Sequence, residues 1–237
     1  MSFEATITSI HQMTPQVKQF VVEADEPFEF EPGQHTTVQF EQDDPDEDED
    51  QEVVRPYTAT NTPGSNKITL AIKRYDDGTA SVYMHERKTG DTITLGDLGG
   101  NLTLQDMDRD VVFVSTGTGI TPMIAMLKQY LEVGGGEVHF FYGEKNQENI
   151  MYRETLDQLS TEYSQLSVVY SLSDEDWDGP TGHVQEHLND RLDGLDRDFY
   201  VCGVPQMVVD TKEHLDELGV PDERIFSEGW EDGEVEN

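Results

Sequence analysis

The chain has 237 residues, with 50 Asp plus Glu against 15 Lys plus Arg and a net charge of −35. That length allows two domains of ordinary size, each with its own core, and the charge excludes nucleic acid and anionic membranes as partners. Hydrophobic residues make up 35 % of the chain, enough to fold, so the charge describes the surface and not disorder.

So many carboxylates suit a cytoplasm at molar salt, where the Debye length falls to ~3 Å, and they point to a halophilic, haloarchaeal source. The opening MSFEATITSIHQM lacks the basic segment and apolar core of a signal peptide. No apolar run approaches the ~20 residues of a membrane span. A single Cys202 rules out an intrachain disulfide and a Cys-ligated iron–sulfur cluster. A soluble cytoplasmic protein is expected.

In chain order, residues 6–10, 17–22 and 35–40 alternate or cluster as strands do, separated by Pro15, Pro27, Pro32 and Gly33. Short strands with frequent turns predict an antiparallel barrel or sandwich. Residues 41–52 carry nine acidic residues in twelve; they read as a solvated loop, because the spaced calcium-loop pattern is missing. Next come Arg55-Pro56-Tyr57-Thr58 and a strand over 68–74 that includes Ala71, Ile72, Lys73 and Arg74. Arg55, Lys73 and Arg74 are three of the few cations, and an Arg fork beside a Tyr ring suits a phosphate with an aromatic headgroup. Gly78-Thr79-Ala80-Ser81 then opens a short helix through His85, whose N-terminus is a potential phosphate site. Turns at Gly90-Asp91 and over 96–100 close this half, and the domain boundary is placed at 106.

The second half turns on residues 111–131. An unbroken apolar run, Val111-Val112-Phe113-Val114, gives way to Ser115-Thr116-Gly117-Thr118-Gly119 and then to apolar residues at helical spacing. Gly117 and Gly119 let backbone amides approach a ligand, Pro122 sits where a first helical turn tolerates it, and a phosphate is the natural guest of such a helix start. The G-x-G-x-x-G fingerprint is not met, because Pro122 holds its third glycine position. Strands over 138–142, 166–172, 199–202 and 225–226 alternate with helices over 150–159, 184–188 and 208–218, the pattern of a parallel α/β sheet. Cys202 ends one such strand at the edge where open α/β sheets bind ligands.

With both halves read, the chain resembles the ferredoxin–NADP reductase family, and the likeness covers nearly all of it. Arg55-Pro56-Tyr57-Thr58 is similar to the family's flavin motif, in which the Arg holds the pyrophosphate, the Tyr packs on the isoalloxazine and the hydroxyl residue approaches N5. Gly78-Thr79-Ala80-Ser81 resembles the loop around the flavin pyrophosphate. Thr116-Gly117-Thr118-Gly119-Ile120-Thr121-Pro122 resembles the loop under the pyridine nucleotide pyrophosphate. Cys202-Gly203-Val204-Pro205-Gln206-Met207 resembles the segment near the nicotinamide. Glu228-Gly229-Trp230 has the spacing of the family's Glu-x-aromatic ending, where the aromatic covers the flavin, although this chain runs seven residues further.

The resemblance implies an antiparallel six-stranded β-barrel that binds FAD over 1–106, followed by a parallel-sheet α/β nucleotide-binding domain over 107–237. Hydride would pass across the cleft between them. It implies catalytic roles for Thr58, Cys202 and Glu228, with Ala71, Ile72 and Lys73 beside the flavin and Ser171 and His183 beside the nucleotide. Electrons would go from NAD(P)H through FAD to a separate acceptor, ferredoxin or flavodoxin, or to an oxygenase as the alternative. NADH is expected over NADPH: Ser171-Leu172 and Thr181-Gly182-His183 stand where NADP-using relatives carry cations for the 2′-phosphate, and Asp174, Glu175, Asp176 and Asp178 fill the loop between. Lys145 and Arg153 are the nearby cations that would reverse this.

Two other classes are weighed. His183-Val184-Gln185-Glu186-His187 spells H-x-x-E-H, which would make a zinc hydrolase if both His shared a helix face. A fold retained for binding without catalysis is the other.

Overall fold

The computed structural model describes residues 2–42 and 51–228. Two compact units emerge, Met1–Thr103 and Leu104–Asn237, where the sequence placed the division at 106.

The first unit holds β1 (Ser2–Thr14), β2 (Val17–Glu23), β3 (His35–Gln42), β4 (Gln51–Thr58), β5 (Lys67–Lys73), α1 (Thr79–Glu86) and β6 (Thr92–Gly96). They form one six-stranded sheet in the order β4-β3-β6-β1-β2-β5, and every pairing in it is antiparallel. Its two end strands are tied by an Ala59–Leu70 bridge and by Thr60 N–H to Thr69 O at 2.8 Å, which closes the sheet as a barrel. Ile7, Phe20, Val22, Val38, Ile68, Leu70, Ile93 and Leu95 fill it, each at most 1 % exposed. β1 is longer than the expected 6–10. Register shifts after Ile7 and Gln12 bend it, as bulges do, so that one strand pairs with both β6 and β2. β6 lies between the two turns read from glycines.

The second unit holds β7 (Val111–Thr116), α2 (Ile120–Val133), β8 (Val138–Glu144), α3 (Arg153–Glu162), β9 (Leu166–Leu172), α4 (Leu188–Arg191), β10 (Asp198–Cys202), α5 (Pro205–Glu217) and β11 (Ile225–Ser227). The sheet order is β11-β10-β7-β8-β9, parallel throughout. β7 is central, which explains its continuous apolar run: Val111 to Val114 are fully buried. The chain steps outward from β7 through β8 and β9, then returns to the other side of β7 with β10. The carboxyl ends of β7 and β10 therefore flank the switch point of the sheet, where open α/β folds bind ligands.

Two expected helices are corrected. The helix expected over 150–159 begins only at Arg153: Ile150, Met151 and Tyr152 are drawn into the core, and Tyr152 turns the chain with a left-handed φ of 55°. The helix expected over 184–188 is instead a 3-10 turn, Val184–His187, followed by the single-turn α4, with Val184, Gln185 and Leu188 buried.

Candidate functional site

In the first unit, β4 ends the sheet order beside β3, so Pro56 costs no ladder bond on its outer side. The register sets Arg55 opposite Val38, Pro56 opposite Thr37, Tyr57 opposite Thr36 and Thr58 opposite His35. Arg55 is exposed; it donates one bond to its neighbour's carbonyl, Val54 O at 2.8 Å, and pairs with no carboxylate among the described residues. Tyr57 is half-buried, and desolvation pushes its hydroxyl up to about 12, so it stays protonated as a hydrogen-bond donor. Thr58 is half-exposed at the strand end.

α1 packs against β4 and β5. Its ladder begins with Val82 N–H to Gly78 O at 3.4 Å, so the amides of Thr79, Ala80 and Ser81 precede it and are left for an anion. Ser81 Oγ accepts from Tyr75 N–H at 3.2 Å, which ties the approaching loop to the helix. A Cβ on Gly78 would overlap that same oxygen, so a side chain there would displace the Ser81 hydroxyl from Tyr75 N–H. Ala71 and Ile72 on β5 are buried; the Ile72 side chain belongs to the barrel core, and its carbonyl meets His85 Nε2 at 2.8 Å. The half-buried Lys73 places its Nζ 5.7 Å from the Tyr75 ring. An exposed Arg, a half-buried protonated Tyr and a helix start on one unit fit a ligand with a diphosphate and a flat ring, as FAD has.

In the second unit, β7 runs into a 3-10 turn, Gly117–Gly119, and then α2. Gly117 has a φ of 54°, the left-handed region that glycine enters without strain. Gly119 is pressed against β10's end, where a Cβ would stand 2.6 Å from Gly203 Cα and overlap the Cys202 carbonyl. Thr116 Oγ1 accepts from Val204 N–H at 3.2 Å, and Thr121 Oγ1 donates to Thr118 O at 2.8 Å. Pro122 is buried in the first turn of α2. Thr116, Gly117, Thr118, Gly119, Pro122, Cys202 and Gly203 thus come together at the switch point. Desolvation, with the Glu228 carboxylate as a smaller cause, pushes the half-buried Cys202 thiol up to about 12, so it stays protonated. Met207 is 4 % exposed and packs in the core of this unit.

Ser171 is fully buried, and its hydroxyl donates to Gly182 O at 2.8 Å, bracing the loop that leaves β9. His183 is exposed and sits just before the 3-10 turn. His187 Nε2 lies 3.0 Å from Thr181 O. The shared α-helical face that a zinc reading of His183 and His187 requires does not form, and no metal-binding group of three His, Cys, Asp or Glu occurs among the described residues. Trp230 lies outside the described residues.

Sequence reasoning did not single out Tyr142, whose hydroxyl reaches Gly117 O at 3.1 Å; the one available signal was a polar tip at the end of an apolar strand. It also missed a cavity of about 590 Å³ after β9, lined by Gln147, Arg153, Asp176, Trp177, Asp178 and Gly179. There Glu175 accepts from Gln147 N–H at 2.8 Å and from Gln147 Nε2 at 2.7 Å.

Residues 4–101 match the oxidoreductase FAD-binding domain, and residues 113–213 match the oxidoreductase NAD-binding domain. Ferredoxin–NADP reductase B of Sorangium cellulosum is 29 % identical over 244 residues, covering 97 % of this chain and 98 % of that one. The anthranilate 1,2-dioxygenase electron transfer component of Acinetobacter baylyi is 30 % identical over 84 % of this chain, which spans only 58 % of that protein. Among solved structures, the flavohem-like FAD/NAD-binding domain of a Vibrio cholerae nitric oxide dioxygenase superposes with a TM-score of 0.86 at 23 % identity, covering 96 % of this chain and 98 % of that one. With both domain types in tandem on the matching folds, the chain belongs to the ferredoxin–NADP reductase family of FAD- and NAD(P)-binding oxidoreductases.

Proposed function

We propose that the protein oxidises a reduced pyridine nucleotide and reduces a separate one-electron acceptor protein, ferredoxin or flavodoxin. When bound, FAD supplies the link, since it accepts two electrons and delivers them singly. The observation that carries the reading is the Gly117 loop at the switch point of the NAD-matching unit, following an FAD-matching unit that carries Arg55 and the α1 start. Arg55 and the amides of Thr79 to Ser81 hold the flavin diphosphate, Tyr57 packs on the ring, and Thr58 offers its hydroxyl to the reacting edge. In the second unit the Gly117 loop holds the nucleotide diphosphate, and Cys202 stands by the nicotinamide as a neutral thiol; Glu228 supplies the neighbouring carboxylate.

NADH is the preferred donor. The loop after β9 carries Asp174, Glu175, Asp176 and Asp178, which repel a 2′-phosphate but accept a hydrogen bond from a ribose hydroxyl. Of the two nearby cations, Lys145 is exposed, and Arg153 bonds Gln147 Oε1 at 3.3 Å while pairing with Asp157 at 4.0 Å. The protein works in a cytoplasm at molar salt, consistent with its charge of −35. Among the described residues no helix is long and apolar enough to cross a membrane. A second reading, the reductase component of an oxygenase, is favoured by the likeness to the Acinetobacter component.

The test begins with colour: the purified protein is yellow and releases FAD on heating. Steady-state kinetics at one fixed KCl concentration give a higher kcat/KM for NADH than for NADPH. Titration with ferredoxin, flavodoxin and an oxygenase component ranks the acceptors. A colourless protein that oxidises neither nucleotide overturns the reading.

A further inference from the structure

The Gly117 loop is supported from the neighbouring strand. Tyr142, near the end of β8, is 1 % exposed. Its hydroxyl lies 3.1 Å from Gly117 O and 3.2 Å from Glu144 Oε1, and it accepts from Met151 N–H. Gly117 O also accepts from Ile120 N–H at the start of α2. A carbonyl oxygen has two lone pairs, so this carbonyl is held from two sides, by its own helix and by the neighbouring strand. In a trans peptide the C=O of one residue and the N–H of the next point in opposite directions. With Gly117 O drawn toward Tyr142, the N–H of Thr118 is turned away from the sheet interior.

We propose that Tyr142 is a positioning residue for the pyridine nucleotide: it pins the Gly117–Thr118 peptide so that Thr118 N–H is aimed at the nucleotide diphosphate. The proposal rests on the reading that this loop holds that diphosphate. Tyr142 has one proton for two acceptors, so Glu144 competes with Gly117 for it. The Glu144 carboxylate is also close to the loop, 3.9 Å from where a Gly117 Cβ would stand, and its charge opposes an anion there. Glu144 and Tyr142 therefore act in opposite directions on nucleotide affinity.

ADP-ribose is the probe, because it carries the diphosphate without the nicotinamide. In calorimetry on the holoenzyme, Tyr142→Phe keeps the ring and raises the ADP-ribose Kd about three- to tenfold, the effect of one lost hydrogen bond. The KM for NADH rises in step, while kcat at saturating NADH and the flavin spectrum hold. Glu144→Gln lowers the same Kd, since its amide can donate to the Tyr142 hydroxyl and leave that proton to Gly117. A tyrosine that served only packing would shift melting temperature and leave Kd alone, so an unchanged Kd in Tyr142→Phe overturns the proposal. If that variant does not fold, Glu144→Gln is measured in 3 M KCl, where the lost charge is screened and the freed Tyr142 proton is left to act, and an unchanged or raised Kd there overturns it. Wild-type protein that binds no ADP-ribose sinks the nucleotide reading and this one together, whereas wild-type binding with unresponsive variants sinks this one alone.

Discussion

Arg55 is an exposed cation in a chain where acids outnumber bases 50 to 15, and among the described residues no carboxylate neutralises it. If it holds the flavin diphosphate, Arg55→Ala removes a charge-assisted contact worth ~1.5–3 kcal/mol, or roughly one to two decades of affinity. The variant is expected to purify pale, and flavin dissociation followed by fluorescence measures the loss. Two histidines carry a prediction of a different kind. His85 and His139 are both held below the usual imidazole value, chiefly by burial; His139 also faces the Arg197 guanidinium, whose Nη1 sits 2.9 Å from Nδ1. A folded value below the unfolded one means that the unfolded chain binds more protons. The stability these residues contribute is full above about pH 6.5 and is lost as pH falls through their folded values. Melting temperature is therefore expected to fall between pH 7.5 and 5.5, a window in which most carboxylates remain ionised, and His139→Asn is expected to flatten the slope.

At the scale of elements, the β7–loop–α2 unit was legible because each part has its own local cause. A buried parallel strand needs no polar alternation, a tight turn needs glycine, and the helix start accepts Pro122. The same reasoning missed the start of the helix expected over 150–159, which begins at Arg153, and the 3-10 turn that replaces the helix expected over 184–188, where tertiary packing overrode periodicity. It also could not say which glycine is constrained by space and which by dihedral angle. Gly117 needs its positive φ, whereas Gly119 needs to lack a side chain. Gly119→Ala is expected to cost about 1–3 kcal/mol through overpacking against Cys202 and Gly203, read by denaturant unfolding of the protein, with flavin affinity unchanged. A variant as stable as the wild type would mean that α2 and β10 are less tightly joined than the structure has them.

Across the whole molecule, charge outweighs every local feature. At −35 the folded chain repels itself and repels anionic nucleotides, and both effects shrink as the Debye length falls from about 10 Å at 0.1 M salt to about 3 Å at 1 M. Melting temperature and NADH affinity are expected to rise together from 0.1 to 3 M KCl. Thermal melts and KM values across that range test this, and full stability in dilute buffer would count against adaptation to salt.

Read in order, the residues were enough to separate an antiparallel barrel or sandwich from a following parallel α/β sheet and to mark the glycine turns at Gly78 and Gly117 as suited to an anion, because strand and helix periods and backbone preferences are local. The six-stranded closure came with the family resemblance. Contacts between distant parts of the chain settle that Ser171 is spent on Gly182 O, that the half-buried Cys202 thiol is held protonated by desolvation, that His183 and His187 share no α-helical face, and that Tyr142 reaches across from β8 to Gly117 O. Each of these depends on distances between strands remote in the chain or on burial, and neither quantity is written in the spacing of residues.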